Sequence, residues 1–222
     1  MNRYFLQITI FLLILAASLF ISSGKLDWWM GWIYIAIVAA GNISVALILM
    51  IRNPGLMGER AETRGKRDLD RVLAGIMALF GPASICIVAG LNLRNAWLPH
   101  VSIPLQVVGI VISVPGSLLT VWAMASNKFF YGVLRIAPEK GHTVCTRGAY
   151  RYVRHPGYAG AILFDLVTPL ILHSAWAFIP AALTVCAIVL RTLLEDRALL
   201  DRLPGYSDYA QRVRYRLLPG VW

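Results

Sequence analysis

Four clusters of polar residues in the C-terminal half of the chain have the types and spacing to handle a ligand. Arg191 and Glu195 stand four apart in Arg191-Thr192-Leu193-Leu194-Glu195, a spacing that sets both on one helix face. A guanidinium grips a carboxylate with two parallel N–H groups, and a carboxylate accepts from amines and hydroxyls. The pair can neutralise itself as a surface salt bridge, ordinarily worth under about 1 kcal/mol, or hold two different groups of a ligand. Its place, where an apolar run ends beside other polar segments, favours the second use.

The second cluster is Arg151-Tyr152-Val153-Arg154-His155-Pro156-Gly157-Tyr158-Ala159-Gly160. Pro156 suits a first helical turn, where its missing N–H costs nothing. A helix start beside Arg154 and His155 attracts a carboxylate or phosphate, and Tyr158 and Gly160 leave a face against which a large ligand can lean. The plainer account is a basic flank followed by a helix. The third cluster, Gly141-His142-Thr143-Val144-Cys145-Thr146-Arg147-Gly148-Ala149-Tyr150, is a short connector whose glycines permit tight turns or close ligand approach. The fourth is the tail, with Tyr206, Tyr209, Tyr215-Arg216 and Trp222. Interleaved aromatics and arginines at a membrane surface are more often anchors than catalysts.

Metal chemistry is not expected. The four histidines, His100, His142, His155 and His173, and the three cysteines, Cys86, Cys145 and Cys186, form no H-E-x-x-H or C-x-x-C pattern. Nor is there a G-x-G-x-x-G loop of the soluble nucleotide-binding kind.

These clusters need a scaffold, and the composition says which. Of 222 residues 58% are hydrophobic and 14% charged, too few polar groups to coat a soluble globule, so an all-α, polytopic integral membrane protein is expected. Apolar runs cover residues 4–22, 28–51, 72–93, 101–125, 156–173 and 176–190, against about 20 residues for one helical crossing. Six transmembrane helices follow, the last two a tight hairpin over 156–190. The first run could instead be a cleavable secretory signal, since it ends in Ser22-Ser23-Gly24. Pro104 and Pro115 predict a kinked fourth helix. Asp165, in the fifth run, is an acid at membrane depth and a functional candidate on that ground, or equally the cap of a buried hydrogen-bond network. The chain divides into residues 1–125, four N-terminal helices, and 126–222, a core with the hairpin and a cytoplasmic tail.

The charge surplus of +10 has a topological origin. If six helices cross in order, every one of the 21 Lys and Arg residues except Lys25 and Arg94 falls on one side, which is the cytoplasmic side. Nucleic acid is not needed to explain the basicity. All four polar clusters then share the cytoplasmic face, and a bacterial source would place the protein in the cytoplasmic membrane.

Taken in order, His142, Tyr150, Arg154-His155-Pro156-Gly157-Tyr158-Ala159-Gly160, a hairpin, Arg191 with Glu195, Tyr206 with Tyr209, and Arg216 through Trp222 resemble the isoprenylcysteine carboxyl methyltransferase family and the related phospholipid N-methyltransferases. The resemblance covers roughly the last 90 residues; earlier residues match only in being hydrophobic. It implies S-adenosylmethionine as cofactor in a cytoplasm-facing pocket, and a hydrophobic or lipid-linked acceptor arriving from the bilayer. By matching position, His142, Thr143, Val144, Cys145, Tyr150, His155, Pro156, Gly157, Tyr158 and Glu195 would contact the cofactor. Arg191, the catalytic candidate, and Arg154 would hold the acceptor. Some eukaryotic relatives have Gln seven residues before the motif His, where this chain has Arg135.

Methyl transfer from a sulfonium is an in-line displacement that needs alignment and desolvation. A carboxylate acceptor, ionised at neutral pH, needs a positioning cation and no base. An amine acceptor must shed a proton, a task for Glu195 or a histidine. Carboxyl methylation is therefore the leading expectation and ethanolamine-lipid N-methylation its alternative. An NADPH-dependent sterol or enone reductase shares a similar R-H-x-x-Y-x-G element and tail, but Pro156-Gly157 and the R-x-x-x-E pair favour the methyltransferase. A scaffold or transporter is disfavoured by the scarcity of ionisable residues within the apolar runs.

Overall fold

The computed structural model describes residues 2–52, 55, 69–133 and 135–222, so most of the charged connector expected over 52–71 lies outside the described residues. The described residues are mostly helical, with no strand beyond one isolated bridge between His100 and Ser174. The helices are α1 (Asn2–Ser23), α2 (Trp29–Arg52), α3 (Leu69–Asn95), α4 (Ile103–Ser126), α5 (Pro156–Ile171), α6 (Phe178–Arg202) and α7 (Tyr206–Arg212). Helices α1, α2, α3, α4 and α6 are long and apolar enough to span a bilayer. The shorter α5 has 16 residues, about 24 Å at 1.5 Å per residue.

The expected hairpin is present, but it does not end at Leu190. No Gly or Pro interrupts residues 191–203, so α6 runs on to Arg202 and stops before Pro204-Gly205, where Gly205 takes φ 79°. This extension carries Arg191 and Glu195 beyond the apolar run. The fourth helix also differs in detail. Pro104 sits in its first turn and breaks no bond there, whereas Pro115 lies inside. Helix α3 widens into a π-helical turn at Ile76–Phe80, just ahead of Pro82, whose missing N–H removes a rung of the ladder.

Leu15 and Leu19 of α1 are fully buried in the main core together with Ile85, Cys86 and Ala89 of α3 and Ile171 of α5, so α1 is a wall of the fold. Close crossings are made by glycines. A Cβ on Gly90 would meet the Leu19 carbonyl at 2.8 Å, and one on Gly160 would meet the Gly116 carbonyl at 2.5 Å. The face cleared by Gly160 is thus filled by α4, not by a ligand. Gly160→Leu is expected to force this crossing apart and lower the melting temperature by roughly 3 to 10 °C, from an overpacking cost of about 1–3 kcal/mol. An unchanged melting temperature in detergent would count against it.

At the face opposite the polar clusters, a network closes the α5–α6 turn. Ser174 donates to Asn92 at 2.9 Å, the Trp176 indole N–H donates to the Leu98 carbonyl at 3.0 Å, and His173 stacks on His100. Trp29, Trp32, Trp97 and Trp176 are exposed at this end, as rings at a membrane interface are.

Candidate active site

A cavity of about 1360 Å³ joins the polar clusters to the interior of the bundle. Its polar part is walled by three pieces of chain. The 127–151 connector supplies Phe129, His142, Thr143, Val144, Cys145 and Tyr150; the start of α5 supplies His155, Gly157 and Tyr158; the α6 extension and α7 supply Arg191, Glu195, Tyr206 and Tyr209. The positions stay on one side of α6 because Ile188, Arg191, Glu195, Leu199 and Leu203 recur every three or four residues. Below this chamber the same cavity becomes apolar, lined by Ile8, Phe11, Ile14, Val38, Val45 and Phe164.

Arg191 and Glu195 share a face but not a salt bridge among the described residues. Arg191, buried, donates from Nε to Asp70 at 2.9 Å and from Nη2 to the Gly132 carbonyl at 2.9 Å, while Nη1 faces the Met77 sulfur at 3.9 Å. A guanidinium has five N–H groups, so one on each Nη remains for a ligand. Glu195 instead accepts a hydrogen bond from the Tyr158 hydroxyl, and the Arg191 guanidinium lies 5.7 Å from the Tyr158 ring centre. The pair therefore has two separate sets of partners, held by α3 on one side and α5 on the other.

His142 stacks on Phe129 with ring centres 4.3 Å apart, and its Nδ1 accepts from the Ala137 N–H at 3.4 Å. Nδ1 is then the unprotonated nitrogen. Burial lowers the His142 pKa below its ordinary value, against the pull of Glu139 and Glu195, so the ring is neutral at pH 7. Cys145 donates to the Ser126 carbonyl at 3.3 Å, and burial pushes its thiol pKa up, which makes it a wall rather than a nucleophile. Burial likewise raises the phenols of Tyr150 and Tyr209. Tyr150 takes a hydrogen bond from Asn127 at 3.2 Å, and its carbonyl accepts from the Tyr209 hydroxyl at 2.8 Å.

The residue that organises this end of the molecule is Asp196, which motif spacing did not single out. Its side chain is fully buried and receives Arg154 Nη2 at 2.8 Å, His155 Nε2 at 3.2 Å, the Tyr206 hydroxyl at 2.9 Å and Arg216 Nε at 2.8 Å. Arg154 is thereby turned into the protein, with further bonds to the carbonyls of Ala210 and Val213, and its Nε has no partner among the described residues. It borders the cavity but spends its charge on Asp196. Pro156 is buried in the first turn of α5 and is not among the residues bordering the cavity; Gly157 is packed under Phe130, whose ring would lie 2.7 Å from a Cβ there.

Two of the tail aromatics are not surface anchors, while Tyr215 stays exposed. Tyr206 and Tyr209 are 3% and 2% exposed. The backbone N–H groups of Arg154 and His155 donate to the carbonyls of Tyr215 and Arg216 at 2.9 Å each, and Arg216 covers the Trp222 ring at 5.1 Å. This stitching fixes the start of α5 from below, leaving His155 stacked on Tyr158.

Comparison with known proteins falls on the same segment. Residues 107–201 match the model of the isoprenylcysteine carboxyl methyltransferase family, a stretch that includes every residue assigned above from His142 to Glu195 and excludes the tail. A rice protein named probable protein-S-isoprenylcysteine O-methyltransferase (Oryza sativa) is 28% identical over 109 residues, 48% of this chain and 57% of the relative. Protein-S-isoprenylcysteine O-methyltransferase B of Arabidopsis thaliana is 27% identical over 108 residues, 47% of this chain and 55% of its own. The mouse protein-S-isoprenylcysteine O-methyltransferase is 25% identical over 188 residues, 82% of this chain and 62% of the relative. The chain thus spans little more than half the length of the plant relatives it matches. The segment from α4 through the α6 extension that frames the cavity is thus the part of this helical membrane protein that is similar to the isoprenylcysteine carboxyl methyltransferase family.

Proposed function

We propose that this protein is an S-adenosylmethionine-dependent methyltransferase working at the cytoplasmic face of its membrane on a hydrophobic or lipid-linked acceptor, with the carboxylate of an isoprenylcysteine-type group as the accepting function. The observation that carries this reading is the continuity of one cavity from Arg191, Tyr158 and Glu195 into an apolar limb inside the bundle. A water-soluble acceptor has no use for such a limb; a lipid tail has.

The donor set suits the cofactor. A sulfonium is a cation, and the chamber offers it neutral aromatic rings in Phe129, Tyr150, Tyr206 and Tyr209, a neutral His142, and the Glu195 carboxylate. When bound, S-adenosylmethionine supplies an electrophilic methyl group. Glu195, aimed by Tyr158, binds its amine or hydroxyl donors, and the stacked Phe129 and His142 offer a flat face to its ring system. Arg191 holds the acceptor carboxylate through its two unengaged N–H groups, with Asp70 and the Gly132 carbonyl fixing the plane of the guanidinium. The apolar limb takes the tail and excludes water from the reacting atoms. An amine acceptor would arrive as a cation facing Arg191, which repels it, so the carboxylate is favoured over the ethanolamine headgroup. NADPH reduction remains the contrary outcome of the tests below.

Vesicles with the cytoplasmic face outward, given radiolabelled S-adenosylmethionine and an S-farnesylcysteine derivative, are expected to form base-labile methyl ester, and vesicles of the opposite orientation are expected to form none. Base-stable label in ethanolamine lipids would replace the carboxylate reading by the amine one, and NADPH oxidation without label would replace the class. Gly41 provides an internal control. It borders the limb, and a Cβ there meets nothing within 4 Å. Gly41→Leu is expected to obstruct the tail and raise KM for the acceptor by about 10-fold or more, leaving cofactor affinity and melting temperature unchanged.

The His142 ring yields a pH dependence. Its folded pKa lies below the unfolded value near 6.5, so the folded state holds fewer protons than the unfolded one as pH falls past about 6.5. The native stack is complete above that value and weakens as acid is added. Affinity for S-adenosylmethionine, a cation, is expected to fall on acidification more steeply than affinity for its neutral thioether product, and His142→Phe is expected to flatten the difference. Equal pH profiles for both ligands in the unsubstituted protein would remove this role.

A further inference from the structure

Asp165 is the group that the reaction above does not use. It lies in α5, is 8% exposed, and borders the apolar limb of the cavity. Among the described residues no hydrogen bond or ion pair reaches its carboxyl group. Polar side chains of these helices are engaged by backbone carbonyls: Thr168 donates to Phe164 at 2.9 Å, Asn42 to Val38 at 2.9 Å, and Thr120 to Gly116 at 3.2 Å and Gly157 at 3.4 Å. Tyr34 and Phe164 border the same limb, with ring centres 6.3 Å apart, and the Tyr34 phenol lies within electrostatic reach of Asp165.

A polar group left unpaired in an apolar site is costly, and an acid facing a cavity at membrane depth marks a ligand path. Seven residues separate Tyr158 from Asp165, two helical turns, so both project from one face of α5 and Asp165 lies about 10 Å deeper along the helix. The partner of this carboxyl is therefore positioned at a defined distance from the chamber that holds Arg191 and Glu195.

We infer that the natural acceptor carries a hydrogen-bond donor, a hydroxyl or an amine, within its apolar portion about 10 Å from the methyl-accepting end, and that Asp165 is the residue that selects it. The inference rests on the acceptor entering the limb as proposed above. A plain hydrocarbon tail fills the limb but leaves the carboxyl unpaired. A tail bearing a donor at the right depth pairs it, and the discrimination arises from the penalty on the wrong ligand more than from the strength of the right contact.

The test uses two matched series of S-alkylcysteine derivatives, one with plain alkyl chains and one with a terminal hydroxyl, of five to ten carbons. Binding is read as thermal stabilisation of the full chain in detergent and as competition for a fluorescent fatty ligand, neither of which needs turnover. In the unsubstituted protein one chain length of the hydroxylated series is expected to bind at least 10-fold tighter than its plain counterpart. Asp165→Leu is expected to reverse that preference, and Asp165→Asn, which keeps a hydrogen-bonding amide, to retain part of it. Affinity for S-adenosylmethionine is expected to be the same in all three proteins. Equal binding of both series at every length, or a preference unaltered in Asp165→Leu, overturns the inference. If the hydroxylated ligands bind selectively but no methyl group is transferred to any of them, the methyltransferase reading fails and the role of Asp165 stands.

Discussion

Replacing Arg191 by alanine is expected to abolish turnover while the cofactor still binds, and replacing Glu195 by alanine is expected to do the converse, weakening the cofactor first. Had the two residues formed one salt bridge, either substitution would do similar and small damage. Their partners are instead distinct, Asp70 and the Gly132 carbonyl for Arg191, Tyr158 for Glu195. Losing a charge-assisted contact costs roughly 1.5–3 kcal/mol, about 10- to 150-fold in the constant affected. For Arg191→Ala that constant is kcat/KM for the acceptor, and the loss is expected toward the upper end, because the Arg191–Asp70 ion pair is lost as well. Arg191→Lys is expected to rescue poorly. One ammonium cannot bond Asp70 and the Gly132 carbonyl and still present two parallel donors to a carboxylate. Tyr158→Phe, which removes the hydroxyl that aims Glu195, is expected to reproduce part of the Glu195→Ala defect. The measurements are calorimetric cofactor affinity and acceptor kinetics on the same preparations. Loss of cofactor binding in Arg191→Ala as complete as in Glu195→Ala would refute the division of labour.

The largest effect on stability is expected at Asp196. Its buried carboxylate receives Arg154, His155, Tyr206 and Arg216, which tie the start of α5, the end of α6, α7 and the tail together. Asp196→Asn keeps the volume but removes the charge, leaving Arg154 buried and uncompensated. Breaking such a pair from one side costs about 3–5 kcal/mol, a fall in melting temperature of roughly 6 to 20 °C for a chain of this size. Arg216→Ala is expected to cost much less, since that side chain is 29% exposed and water can replace part of its contact. Activity is expected to fall with Asp196→Asn even at temperatures where the protein stays folded, because His155 and Tyr158 lose their fixed platform. A melting temperature within about 2 °C of the unsubstituted protein would show that the cluster does not hold this end together.

Whatever depends on contiguous residues is legible in the amino-acid sequence by itself. The apolar runs mark six helices at the places where they occur, since hydrophobic length is a property of neighbours along the chain, although the structure gives five of them, α5 being the exception, the length of a full span. Pro156 at a helix start and Arg191 with Glu195 on one face follow from helix geometry alone. The ordered set from His142 to Glu195 points to the family because the resemblance lies within one continuous stretch. Helix packing decides the rest. Which cation meets which acid depends on how each helix is rotated and seated against its neighbours, and those choices join residues far apart: Arg191 with Asp70 across 121 positions, Arg154 and His155 with Asp196 across about 40. No local period encodes such distances. Hence Arg154, read from its flank as a ligand contact, is occupied by Asp196. Gly160, read as a clearing for a ligand, is where α4 crosses. Tyr206 and Tyr209 of the tail, read from composition as anchors, are buried walls. Asp165 shows both sides. Its depth in a span is visible in the sequence, but only the assembled bundle leaves its carboxyl facing a cavity, with the polar side chains of Thr168, Asn42 and Thr120 already bonded to backbone carbonyls.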